Sequence, residues 1–213
     1  MSENTAVRKR LAPADRERMI IDVAIEYFAE VGLSGDTREL AKRIGITQPL
    51  LYRYFPTKED LIEEVFNEVY LARVQPDWAN LIIDRDIPLR DRLIDFAHKY
   101  TKITFQEKWI RIYAHAGLKD AKLNQRYIKT VTEPFLKKIC GELRHHIDPE
   151  ASHGRVNATE LNLVWIWHGG LYYWAIRKYI YHAKNLGSLT DLINHSVDGL
   201  IGSFESYYKS SKK

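Results

Sequence analysis

Apolar residues recur every three or four positions along most of this chain, and no stretch alternates strictly between apolar and polar, so the pattern predicts helices and no strands. The first helix is expected over Ala14–Val31, where Met19, Ile20, Val23, Ala24, Tyr27, Phe28 and Val31 form one stripe and Gly32 ends it. Its opposite face carries the acids Asp22, Glu26 and Glu30. Two shorter segments follow, Thr37–Ile44 and Gln48–Phe55, and then Thr57 caps a helix whose stripe of Leu61, Ile62, Val65, Phe66 and Val69 runs on until Pro76. Beyond Pro76 the pattern lengthens, with helices expected at about Pro88–Phe105, Lys108–Leu118, Asn124–His146, Thr159–His182 and Leu189–Tyr208. Pro134 should kink the third of these, and Asn157 with Glu160 and Ser188 with Asp191 stand at capping spacing before the last two. The fold class is therefore all-α. A basic arm (1–13) precedes an N-terminal three-helix unit (14–75) that contains the two short segments, followed by a longer helical domain (76–213).

The two short segments carry the chemistry. Leu40, Ala41 and Ile44 share one stripe of the first, which opens with Asp36 and Glu39 at capping-box spacing and is stopped by Gly45. Thr47 can cap the second, Pro49 is tolerated in a first turn that needs no intrahelical N–H, and Leu51 and Phe55 lie four apart on its buried side. That is the layout of a helix-turn-helix, over about residues 37–56. A helix of two turns has little stability alone and must be held by its neighbours, which leaves Gln48, Pro49, Leu50, Arg53 and parts of Tyr52 and Tyr54 facing outward. From Thr47 to Tyr54 there is no carboxylate, although an acid suits a helix N-terminus, whereas the helices that follow Asp36 and Thr57 carry Glu39 and Asp60 at the third position. A face without acids fits phosphate, and Gln and Arg can make bidentate bonds to adenine and guanine edges in a major groove.

The run TQPLLYRYFPTKEDL, with TRELAKRIGI ahead of it, resembles the DNA-binding segment of the tetracycline-repressor family over roughly the first third of the chain. The resemblance implies that Arg38, Gln48, Pro49 and Tyr52 face the groove, and that Thr37, Arg53, Tyr54 and Lys58 face phosphate. Leu50 stands where the family more often has Thr or Ser, so the contact made there differs. It also implies a homodimer on a double-stranded, near-palindromic operator, with half-sites about one turn, roughly 34 Å, apart.

Composition narrows the setting. With 45% hydrophobic and 28% charged residues in 213, the chain can bury a core and is no disordered segment. The single cysteine, Cys140, excludes an intrachain disulfide and suggests a reducing compartment. The N-terminus lacks the apolar core of a secretory signal, and the longest uncharged run, Leu161–Ile176, is too short to span a bilayer, so a cytoplasmic protein with no membrane partner is expected. Net charge is +4, yet residues 1–60 hold 10 basic and 10 acidic side chains; only within 36–58 do Arg38, Lys42, Arg43, Arg53 and Lys58 outnumber Asp36 and Glu39. Arg8, Lys9 and Arg10 form either a solvated tail or an arm reaching phosphate.

The C-terminal domain is rich in aromatic residues. By family resemblance it holds a cavity for a small-molecule effector, and Trp109, Tyr113, His115, Trp165, His168 and Tyr172 are candidate walls for a flat or largely apolar ligand; the alternative for each is ordinary core packing. The last two helices are candidates for the dimer interface, which the family builds as a four-helix bundle. Val197, Leu200, Ile201 and Phe204 form a stripe there, and Gly169 and Gly170 would admit a close neighbour, unless these residues only fill the monomer core. His145, His146 and His153 do not share a face with supporting cysteines, so neither metal nor cofactor is expected. Cys140, in an apolar stripe, reads as buried. No G-x-S-x-G, H-E-x-x-H or phosphate-cradling glycine loop supports an enzyme. A helical protein-interaction module or an activator would leave other features in place, but the first of these does not account for the acid-free face of 48–54.

Overall fold

The computed structural model describes residues 11–75, 77–119, 121–150 and 154–211, and among them every regular element is helical. The expected arm therefore lies almost wholly outside the described residues, as do His153 and Pro76. Helix α1 (Pro13–Val31) starts at a proline that needs no N–H partner and ends where Gly32 adopts φ 84°. Helices α2 (Thr37–Ile44) and α3 (Gln48–Tyr54) follow, with Leu40, Ala41 and Ile44 of α2 and Leu51 of α3 buried in the core that α1 also enters. Asp36 caps α2 through Arg38 N at 2.6 Å and not through a reciprocal box, because Glu39 turns instead toward Arg43 at 3.6 Å.

Helix α4 (Lys58–Phe66) opens with a true capping box, Thr57 and Asp60 each holding the other's backbone N–H. It then widens into a π-helical turn, Asn67–Leu71, that buries Val69 and Tyr70. The π turn puts the extra residue where α4 leaves the N-terminal domain and enters the core of the second.

The second domain comprises α5 (Asp77–Ile83), α6 (Leu89–Thr104), α7 (Glu107–Lys119), α8 (Lys122–Val131), α9 (Lys137–Ile147), α10 (Ala158–Tyr179) and α11 (Leu189–Ser211). Helix α5 was not legible from periodicity, since its seven residues give only two buried anchors, Ile82 and Trp78, the latter packed against Phe96, Tyr100 and Phe135. The expected Asn124–His146 helix is divided by a π-helical turn, Thr132–Leu136, which contains Pro134. A proline has no N–H to give its preceding turn, and the wider turn absorbs that loss. Helix α10 stops before His182, which with Asn185 adopts positive φ and so turns the chain toward α11.

One pair of charges clasps the C-terminal helices. The Arg144 guanidinium on α9 donates to Glu160 of α10 at 2.6 and 2.9 Å and to the Tyr208 hydroxyl of α11 at 3.1 Å. Burial opposes charge on Glu160, but bonds from Arg144, from Tyr208 and from the Asn157 backbone outweigh it and hold its pKa low. The same carboxylate closes the α10 capping box, so one residue serves both the helix start and the clasp.

Packing of α11 corrects part of the expected dimer surface. Val197, Leu200 and Phe204 are buried inside the protomer, at 0, 3 and 0% exposure, because their stripe faces α6, α9 and α10. Ile201 lies at the edge of that stripe, Gly169 is half-buried, and Gly170 is open to solvent. No helix among the described residues is long and apolar enough to cross a membrane.

Candidate functional site

Gly45 sets the angle of the two short helices. At φ 76° it enters the left-handed region that a side chain resists, and the chain reverses with Ile46 N donating to Ala41 O and Gly45 N to Lys42 O. Thr47 then accepts from Leu50 N at 3.3 Å, starting α3, and Leu51 and Phe55 anchor it beneath. What remains on the outside is Pro49, Tyr52 and Arg53, with Gln48, Leu50 and Tyr54 half-buried.

A small hydrogen-bond network joins the two helices across this face. Gln48 Nε2 donates to Thr37 Oγ1 at 2.9 Å, Tyr52 Oη lies 3.0 Å from the same oxygen, and Arg38 Nε donates to Gln48 Oε1 at 3.3 Å. Thr37 is thus turned inward, 8% exposed, its hydroxyl engaged by two neighbours; this corrects its assignment as a phosphate-facing side chain. It orients Gln48 and Tyr52, and a periodicity argument could not see this because it requires two helices to cross. Arg38 and Arg53 are exposed, whereas Lys58 is partly buried and its pKa is lowered, first by that burial and then by nearby Lys119.

Helix α1 braces this unit with the acids on its polar face. Arg43 of α2 sits over the Tyr27 ring and meets Glu30 at 2.5 and 3.3 Å, and Tyr27 Oη donates to Asp36 O at 3.0 Å. Glu26 pairs with Lys108 of α7, and Arg18 with Glu68 of the π turn at 2.9 Å. Arg111 Nε donates to Ala29 O at 2.7 Å. So the acids of this face tie α1 to α2 through Glu30 and to α7 through Glu26.

Inside that domain an aromatic cluster forms where α4, α6, α7, α8 and α10 converge. Trp109 and Tyr113 stack with centroids 5.0 Å apart, and Tyr172 and Tyr127 stand edge-on to both. Tyr127, Tyr100 and His168 are joined by hydrogen bonds of 2.5 and 2.7 Å. Burial lowers the His168 pKa to about 4, so its ring is neutral at neutral pH. Trp109 Nε1 is buried with no hydrogen-bond partner among the described residues. Four of the six candidate walls, Trp109, Tyr113, His168 and Tyr172, meet here, and Trp165 touches the cluster edge-on to His168 at 5.1 Å. His115 does not; its ring packs against Gly32 at the junction with α1, where a Cβ on that glycine would come within 2.9 Å of Nδ1. Tyr70, Tyr100, Phe105 and Tyr127 belong to the cluster and were missed. Each is an ordinary stripe residue of its own helix, Tyr100 and Phe105 of the same one, and only their convergence with the others marks them.

A two-helix reading unit, mounted on a brace and joined by α4 to a larger helical body, defines a helix-turn-helix DNA-binding regulator. Comparison with known proteins agrees. Residues 20–65 match the model for bacterial regulatory proteins of the tetR family. Across 204 residues the chain is 26% identical to the HTH-type transcriptional regulator LuxR of Vibrio harveyi, covering 91% of this chain and 92% of that one. A tetracycline repressor of class A from Escherichia coli is 33% identical over 86 residues, but this match covers only 36% of the chain and 39% of the repressor. The fold is that of a TetR family transcriptional regulator from Pseudomonas syringae, with a TM-score of 0.67, 15% identity, and coverage of 90% of this chain and 97% of that one. The chain thus carries the DNA-binding segment of the tetR family over residues 20–65 and shares the fold of regulators of that family.

Proposed function

We propose that the protein is a homodimeric, effector-released repressor that reads a near-palindromic operator through α3. The observation that carries this is the outer face of α2 and α3, where Arg38, Gln48 and Tyr52 are held in register through Thr37 and α3 itself carries no carboxylate. Gln48, Pro49 and Tyr52 would meet base edges together with Arg38, while Arg53, Tyr54, Lys58 and the Thr47 N-terminus of α3 would meet phosphate, with Leu50 giving an apolar contact. Full-length protein should select one duplex from a random library, with affinity that falls steeply with salt. Gln48→Ala and Tyr52→Ala should each cut the preference for the selected duplex by about tenfold, the loss of roughly 1–3 kcal/mol expected for a base contact. Equal binding of selected and random duplexes across a range of salt would overturn the reading.

The aromatic cluster supports an effector site for a flat or largely apolar molecule. Its walls are rings, and its free polar groups are few, notably the buried Trp109 N–H. Tyr70 links the cluster to α4, since its ring packs 5.1 Å from Trp109 and its hydroxyl donates to Trp109 O at 3.0 Å. An effector that parts Trp109 from Tyr172 would move Tyr70, and with it the helix that carries Lys58 beside the reading unit. Typical coupling of about 1–3 kcal/mol then lowers operator affinity some five- to hundredfold.

The dimer surface we propose uses outward residues of α10 and α11. Ile166 is 72% and Tyr173 54% exposed, with Gly170 between them on the same face of α10. On α11, Gly199, Gly202, Ser203 and Ser206 present a small-residue face, and an added Cβ at Gly170, Gly199 or Gly202 would meet nothing within 4 Å. Nothing inside the protomer requires those glycines, whereas a partner helix packed against them does.

A further inference from the structure

The aromatic cluster sorts ligands by chemistry as well as by shape. Five rings surround the Trp109 indole, those of Tyr70, Phe105, Tyr113, Tyr127 and Tyr172, with centroids 5.0 to 6.2 Å away. The hydroxyls deepest in the cluster are already engaged: Tyr70 donates to Trp109 O at 3.0 Å, and Tyr100 is shared between Tyr127 at 2.5 Å and His168 at 2.7 Å. The Trp109 N–H is not engaged. Its side chain is 2% exposed, and Nε1 is the only atom of these rings that is buried without a partner among the described residues. Asn124 Oδ1, an unpartnered acceptor beside Gly117, does not reach it. A donor closed off from water in this way costs the fold stability until an acceptor meets it.

Charge is excluded from the same place. Burial raises the pKa of Tyr70, Tyr100, Tyr113, Tyr127 and Tyr172 and lowers that of His168, so every titratable ring of the cluster is neutral at neutral pH. The charged side chains that approach Trp109 lie in the cleft toward α1, where Arg18 is paired with Glu68 and Lys108 with Glu26. A carboxylate among the rings would find no cation there, and a cation would face the positive end of an N–H.

We propose that the effector of this site is an uncharged planar molecule whose carbonyl oxygen, or an oxygen of similar strength, accepts a hydrogen bond from Trp109 Nε1; this rests on the effector reading given above and supplies its chemistry. The N–H lies in the plane of the indole, so the acceptor comes to the edge of the ring and leaves the stack with Tyr113, 7° from parallel, intact. Tyr172, half-buried and edge-on to Trp109, is the ring placed to give way.

The test compares four naphthalenes, each substituted at the β carbon, on full-length protein isotope-labelled at the tryptophan indole nitrogens: the methyl ketone, the ethyl hydrocarbon, the carboxylate and the methylammonium. They share one flat body and differ in acceptor and charge. The ketone should shift the Trp109 Nε1–H resonance, assigned by its loss in Trp109→Phe, and should bind about fivefold more tightly than the hydrocarbon. Both ions should bind at least tenfold more weakly than the ketone. Trp109→Phe keeps a ring and removes the donor, so it should abolish the advantage of ketone over hydrocarbon. Equal binding of ketone and hydrocarbon by the parent protein would overturn the proposal and leave an aromatic effector site standing, and this comparison holds even if Trp109→Phe fails to fold. A Trp109 resonance that stays in place while the ketone binds would overturn it, as would either ion binding as tightly as the ketone. Failure of all four to bind would reject the effector reading itself, and this inference with it.

Discussion

Thr37 has one hydroxyl and two clients. Because Gln48 and Tyr52 both lean on it, the two side chains proposed to face the groove are ordered without a duplex, and less conformational freedom would be lost on binding. Thr37→Val keeps the shape and removes the hydroxyl. It should cost about 1 kcal/mol, or roughly fivefold, in operator affinity, measured by fluorescence anisotropy, with little change in melting temperature. His168 makes a prediction of a different kind. Its folded pKa, about 4, lies below the ordinary 6.5, so between those values the unfolded chain binds a proton that the folded chain refuses. Stability is complete above pH 6.5 and falls as pH drops toward 4, by up to about 3 kcal/mol from this residue. Urea unfolding of His168→Asn across that window should show a flatter acid limb than the parent.

Among the elements, α3 is the one that cannot stand alone. Seven residues with a single fully buried leucine depend on the Thr47 cap and on the Gly45 reversal for their orientation. Thr47→Ala should lower stability by about 1 kcal/mol and reduce operator affinity more than that loss alone explains, since the first turn of α3 carries Gln48. The clasp of α9, α10 and α11 behaves as a unit in another sense. Arg144 and Glu160 have side chains 5 and 0% exposed, so neither tolerates the loss of the other. Arg144→Met should destabilise the protein by roughly 3–5 kcal/mol, read by thermal or denaturant unfolding, because an unpaired carboxylate is left in the core. The two π turns interrupt helices that the sequence pattern drew as single stripes, one of them with a kink expected at Pro134. One sits where α4 passes between domains and the other at Pro134, and each is a wider turn that a stripe of apolar residues does not reveal.

For the molecule as a whole, the proposed output depends on two reading heads held at a fixed spacing. Gly202→Leu is a suitable probe, because the position is exposed and a Cβ added there meets nothing within 4 Å in its own protomer. It should leave the melting behaviour of the protomer unchanged while weakening dimerisation at least tenfold by sedimentation equilibrium, and operator affinity should fall with it. An unchanged dimer would place the interface elsewhere on the surface.

Helical spacing, capping pairs and the Gly45 break are local properties, governed by residues within four or five positions, so the chain itself determined the all-helical class, the boundaries of α2, and the acid-free face of α3. Family likeness in the first third follows from the same run of residues. Which way a stripe faces once several helices compete for one core is not local. Tertiary packing alone decided that Val197, Leu200 and Phe204 turn inward, that His115 leaves the aromatic cluster for Gly32, and that Tyr70, Tyr100, Phe105 and Tyr127 join it. The same holds for Thr37, whose role exists only because two helices cross within hydrogen-bonding distance, a relation set by side chains eleven and fifteen residues away.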